Sequence, residues 1–144
     1  MISTTFANDL LKLIFNAVAI SGLADNASSS PLTNLYLSLH TADPGAGGNQ
    51  TTNEVSYTGY SRLAVARTSG GFTITGAVMN PTATLEFGEM TAGGAATATH
   101  LCVGTASSGS GKVLFRFSLT PTVALNVNVT PRLRTTTTLT AVTS

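Results

Sequence analysis

Charge is what this chain has least of. Only 9% of its 144 residues are Asp, Glu, Lys or Arg, where a soluble domain carries roughly 25%. A freely diffusing monomer normally relies on mixed surface charge for solubility, so a surface of Thr, Ser, Gly and Ala is the surface of an assembly subunit, covered by neighbours in use. The formal net charge of +1 supplies no field to attract nucleic acid or an anionic membrane, and neither partner is expected. Tryptophan is absent and there is one cysteine, Cys102, which excludes an internal disulfide framework and a cysteine-based zinc site. A long apolar run is also missing. The stretch 10–23 is interrupted by Asp9, Lys12 and Asn16 at its start and within it, has no basic flank, and falls short of the roughly 20 residues a membrane span needs, so neither a signal peptide nor a span is expected.

What is present is pattern. Residues 5–22 read as one helix: Phe6, Leu10, Leu13, Ile14, Ala17 and Val18 recur at spacings of three and four, with Asn8, Asp9, Lys12 and Asn16 between them. Thr5 is placed to cap it and Gly22 to stop it. A polar linker ending at Pro31 follows, and there the period changes to two. Residues 34–40 alternate Leu35, Leu37 and Leu39 with Tyr36, Ser38 and His40, the pattern of a strand with one buried face. Further strands are predicted at 60–67, 71–79, 83–87, 98–105, 112–119, 122–130 and 133–142, punctuated by glycine and proline turns. The expected fold is therefore mainly β, a jelly roll or β-sandwich of about eight antiparallel strands with one N-terminal α-helix. The organisation that follows is a helix and linker over 1–30 and a β-domain over 31–144, forming a single structural unit.

Chemistry-bearing motifs are few. The run Ser107-Ser-Gly-Ser-Gly-Lys112 has glycines and a lysine, but it offers Ala106 and Val113 where a phosphate-binding loop requires glycine and Ser or Thr. Two histidines and six acids leave little from which to build a metal centre; His40 with Asp43 is the best spacing, and hydrogen bonding within the turn accounts for it more simply. Ser38 with His40, and His100 with Cys102, each share a strand face at i and i+2 without a strained nucleophile turn. No catalytic residue, metal or cofactor is expected, and the chain is read as non-enzymatic. Interface candidates are the helix face Phe6, Leu10, Ile14 and Val18 and the long loop 41–58. In that loop Asp43, Pro44 and Gly45 form a turn, and Asn49, Gln50, Asn53 and Glu54 present hydrogen-bonding groups.

Three segments carry a family resemblance: Ile2-Ser-Thr-Thr-Phe-Ala-Asn-Asp-Leu-Leu-Lys-Leu-Ile-Phe-Asn16, Leu35-Tyr-Leu-Ser-Leu-His-Thr-Ala-Asp-Pro-Gly45, and Asn49-Gln-Thr-Thr-Asn-Glu-Val-Ser-Tyr-Thr-Gly-Tyr60. The chain resembles a family of small tailed-bacteriophage virion proteins, often labelled tail fibre proteins. Its size, strand pattern and low charge also look like the cement or decoration proteins of phage capsids. The resemblance implies a structural component of the virion, assembled in the bacterial host cytoplasm. Its expected partners are the major capsid protein or other virion proteins, and copies of itself as a dimer or trimer. The short chain without shaft repeats favours capsid cement; a tail fibre or receptor-binding role is the alternative.

Overall fold

A computed structural model describes residues 4–20 and 31–140, the side chains of Thr4 and Phe6 excepted. The fold is mainly β with one N-terminal helix, as the periodicities predict. The elements are α1 (Thr4–Asn16), β1 (Asn34–His40), β2 (Leu63–Ala66), β3 (Phe72–Thr75), β4 (Val78–Pro81), β5 (Leu85–Glu86), β6 (Ala96–Gly104), β7 (Val113–Leu125), β8 (Arg132–Leu133) and β9 (Leu139–Thr140). They form a four-stranded sheet of order β2-β1-β6-β7, a three-stranded sheet β3-β4-β9 and a pair β5-β8. The chain divides into two compact units, each made of discontinuous stretches: 1–34, 66–84 and 133–144, and 35–65 with 85–132.

The first unit holds the helix. Its buried stripe is Ala7, Leu11 and Phe15, spaced by four, and Phe15 meets Phe72 of β3 edge to face at 4.9 Å. Leu10 and Ile14 are only half-buried, and Val18 is 49% exposed; the Phe6 side chain lies outside the described residues. Both stripes are apolar, so the sequence period permits either, and packing against β3 selects the one rotated by a single residue. The helix also ends at Asn16 instead of reaching Gly22. Ala17 takes a left-handed φ of 54°, Val18 N–H returns to the Lys12 carbonyl, and the Arg67 guanidinium donates to the carbonyls of Leu13 and Ile14. A cation on the last carbonyls satisfies orphan acceptors at the negative end of the helix dipole.

Several strand predictions change in the structure, and the strand predicted at 133–142 becomes the short β8 and β9, which lie in different sheets. The segment predicted as one strand over 71–79 is a hairpin, β3 with β4, in which Thr75 pairs with Val78 around Gly76 and Ala77. Gly76 has φ 62° and Ala77 does not share it, the pattern of a type II′ turn, which suits the twist of two-residue hairpins. Conversely, the strand predicted at 112–119 and the first part of the one predicted at 122–130 are one strand, β7, of 13 residues, and residues 126–130 turn away from it. Pro121, expected to mark a turn, lies inside a bulge. His100 pairs with Ser118 and Ala98 with Val123, so Thr99 alone faces the four residues 119–122. A bulge is where a strand tolerates a residue that cannot donate to the ladder.

In the second unit β1 and β6 are the inner strands of the four-stranded sheet. Leu35, Leu37 and Leu39 are buried on one face with Leu101 and Val103 of β6. The prediction of a single buried face fails at the strand's far end, because Ser38 and His40 on the opposite face are also fully buried. Something covers that face.

Candidate functional site

The cover is the loop 41–58. β1 and β6 pair antiparallel with His40 opposite His100, Ser38 opposite Cys102 and Tyr36 opposite Gly104, so those side chains share a face. The loop leaves at His40, folds back over this face as far as Gly104, and returns so that Val55 N–H donates to the Leu39 carbonyl at 2.9 Å.

Gln50 anchors the turning point. Its side chain is fully buried, its N–H donates to the Gly111 carbonyl, and its Oε1 accepts from Ala106 N–H at 2.9 Å. A Cβ at Gly104 or Gly111 would collide with the Gln50 side chain, which is why glycine stands at both. Before the turn, Asp43 Oδ1 accepts from Gly45 N–H at 2.8 Å and Asn53 Nδ2 donates to the Asp43 carbonyl at 3.1 Å. Asn49 Oδ1 accepts from Thr51 N–H at 2.9 Å. These side-chain-to-backbone bonds are the turn chemistry of Asx residues.

Glu54 and Arg62 form the strongest tie. Arg62 Nε and Nη2 donate to the two Glu54 oxygens at 2.7 and 2.8 Å. Nη1 donates to the Ala106 carbonyl at 3.0 Å, and Nη2 also to that of Gly109 at 2.7 Å. Their side chains are 3% and 14% exposed. Tyr60 completes the network: it accepts from Leu39 N–H at 3.1 Å and donates to Glu54 at 3.0 Å. Burial raises the Tyr60 phenol well above its ordinary range, and the carboxylate beside Arg62 raises that guanidinium further. A single cation thus fixes both the loop 41–58 and the hairpin tip 106–111.

The residues weighed for chemistry serve this clasp. His40 Nδ1 donates to the Thr52 carbonyl at 2.8 Å, and Nε2 lies 2.9 Å from Ser38 Oγ. The pair has the hydrogen bond of a nucleophile and base, but both members are fully buried. Burial lowers the His40 value, with the Thr52 bond and the Glu54 charge opposing it. Cys102 is buried under the same cover, and its thiol is pushed up to about 12, chiefly by burial. Asp43 ion-pairs with Arg116 at 3.2 Å; its carboxyl is held below its ordinary value first by the Gly45 N–H and also by that cation. Among the described residues no cluster of three or more His, Cys, Asp and Glu could hold a metal, and no helix is long and apolar enough to cross a membrane.

The sequence-predicted loop residues therefore divide. Gln50 and Pro44 are buried and Glu54 is engaged by Arg62, whereas Asp43 and Asn53 are exposed, with Gly45 and Asn49 between the two. Beside them stand Ala46, Gly47 and Thr51 and the hairpin tip 107–110, also exposed. What sequence reasoning missed is Arg62. Its signal was scarcity: in a chain with so few charges, Glu54 and Arg62 stand eight residues apart around two tyrosines. No curated protein sequence matches the chain. The model of the podophage GP4 fiber I protein gp80 family matches residues 1–140, so the chain belongs to this family of phage fibre structural proteins.

Proposed function

We propose that the protein is a non-enzymatic structural subunit of a phage tail fibre, assembled in the host cytoplasm, that binds other virion proteins and copies of itself. The family match along nearly the whole chain carries this reading, and it supports the fibre over the head-cement role that the short chain without shaft repeats favoured. Low charge adds to it, since contact with neighbours covers a surface that charge does not keep in solution. The fold supplies a suitable surface. A loop clasped at Gln50, Glu54 and His40 is ordered before it meets a partner, so little conformational entropy remains to be lost on association. Its outer side, with exposed Asp43 and Asn53 and half-buried Gly45 and Asn49, is the proposed contact, and the half-buried flank Leu10 and Ile14 with Val18 is a second.

Labelling the chain in purified virions and locating it by electron microscopy tests the proposal. Signal on fibres at the tail is expected; signal distributed over the head in many copies would restore the cement reading. Replacing exposed Ala46 and Thr51 by arginine should leave the isolated fold unchanged and reduce incorporation into particles. Unchanged incorporation would remove the loop from the contact surface.

A further inference from the structure

His40 and His100 are directly opposed on the β1–β6 ladder, at the point where the loop leaves the sheet. Because a carbonyl only accepts, the contact with Thr52 fixes the His40 proton on Nδ1 and leaves Nε2 to accept from the Ser38 hydroxyl. His100 Nδ1 lies 2.9 Å from Thr99 Oγ1, and that hydroxyl donates to the Thr41 carbonyl at 2.9 Å. On its other side His100 Nε2 lies 3.3 Å from Ser118 Oγ. Both rings thus lead to the residues that close the loop, where Thr41 N–H and Oγ1 donate to the Asn53 carbonyl at 2.9 and 3.2 Å.

The charged groups around His40 leave it without a free counter-ion among the described residues. Glu54 is its main-chain bridge partner, but both Glu54 oxygens are taken by Arg62 and one also by Tyr60. Arg62 and His100 oppose a positive ring. Asp43, farther along the loop, is paired with Arg116 of β7 and its carboxylate also attracts His100, not His40, and Cys102, opposite Ser38, is a buried thiol.

We infer that His40, opposed by His100 across the ladder, is an acid-sensitive latch: with its ring neutral it holds the loop 41–58 over β1 and β6, and with its ring protonated it releases the loop and uncovers the face beneath. On protonation the Ser38 hydroxyl can turn to accept from Nε2–H, so no hydrogen bond need be lost. The cost is a buried charge, which Arg62 and, across the ladder, His100 oppose. Burial already holds His40 below its ordinary value. The sign follows: the folded loop favours the neutral ring, so the stabilisation is complete above the ordinary histidine range and is lost as pH falls through it toward the lower folded value.

Amide hydrogen exchange on the full chain, corrected for intrinsic rates, tests this between about pH 7.5 and about pH 4.5. Loop amides of Gln50, Thr52 and Val55 should lose at least about tenfold in protection relative to Leu101 and Val103 of β6 as pH falls. In the double variant His40→Asn with His100→Gln, where the new side-chain amide in place of the His40 ring keeps a donor for the Thr52 carbonyl, the ratio should not change with pH. His100→Gln alone removes the ring that opposes a charged His40 from a partly exposed position and should move the loss to lower pH. A pH-independent ratio in the native chain overturns the inference whether or not the double variant folds, and so does a double variant that retains the full drop.

Discussion

Removing the Arg62 guanidinium tests the clasp at its centre. Arg62→Ala leaves Glu54 with the Tyr60 hydroxyl as its remaining side-chain donor, and it strips the Ala106 and Gly109 carbonyls of their bonds to Arg62. Because both side chains are largely out of water, breaking the pair from one side should cost about 3–5 kcal/mol, the range for an abandoned buried charge. Glu54→Gln keeps shape and one acceptor, so the lost charge-assisted bonds should cost less, about 1.5–3 kcal/mol. At about 4 °C per kcal/mol for a chain of this size, Arg62→Ala should lower Tm by about 12–20 °C. Urea unfolding at neutral pH gives the free energies. High salt should reduce the loss little, because a buried pair is poorly screened. Exposed Arg132, which meets Glu86 at 2.9 Å with both side chains more than half exposed, is the control: Arg132→Ala should cost about 1 kcal/mol or less. If Arg62→Ala behaves like Arg132→Ala, the clasp does not hold the loops.

Three further outcomes follow from burial. Phe72→Ala empties the ring that meets Phe15 and should cost about 3–5 kcal/mol by thermal or urea unfolding, and Leu11→Asp should unfold the helical unit while Leu10→Asp, on the half-buried flank, leaves it folded. Gly104→Ala should destabilise the second unit and raise exchange at Gln50, since the new methyl collides with the Gln50 side chain; Ala at exposed Gly47, where a Cβ meets nothing within 4 Å, should be silent. Cys102 should resist maleimide near neutral pH in the folded chain and react promptly in denaturant, because burial keeps the thiol protonated and covered.

How far the sequence reaches differs between elements. The strand at 34–40 was legible to the residue, because Leu35, Leu37 and Leu39 have one periodicity and sharp boundaries. Gly76 in the middle of an alternating run was the legible sign of a hairpin that a longer strand reading passed over, whereas Pro121 misled because a bulge and a turn leave the same mark in a sequence. The loop 41–58 was legible as a loop, and its Asp, Asn and Gly content as turns. Its internal anchoring was not, because Gln50 and Gly111 are far apart in the chain and no local period relates them.

The sequence by itself determined that the chain is mainly β with one amphipathic helix, and that its surface carries far less charge than an ordinary soluble monomer presents. It also carries the segments by which the chain is placed in a phage fibre family. These are local or compositional properties, read directly from residue order. Tertiary structure decided which apolar stripe of α1 faces inward, since Ala7, Leu11 and Phe15 compete with an equally apolar neighbouring stripe and packing that sets Phe15 against Phe72 selects them. It likewise decided that Glu54 meets Arg62, His40 meets Ser38, and Gln50 meets the backbone of Ala106 and Gly111. Polar residues give no period and no hydrophobic signal, and their partners are set by how the loop folds back over the sheet.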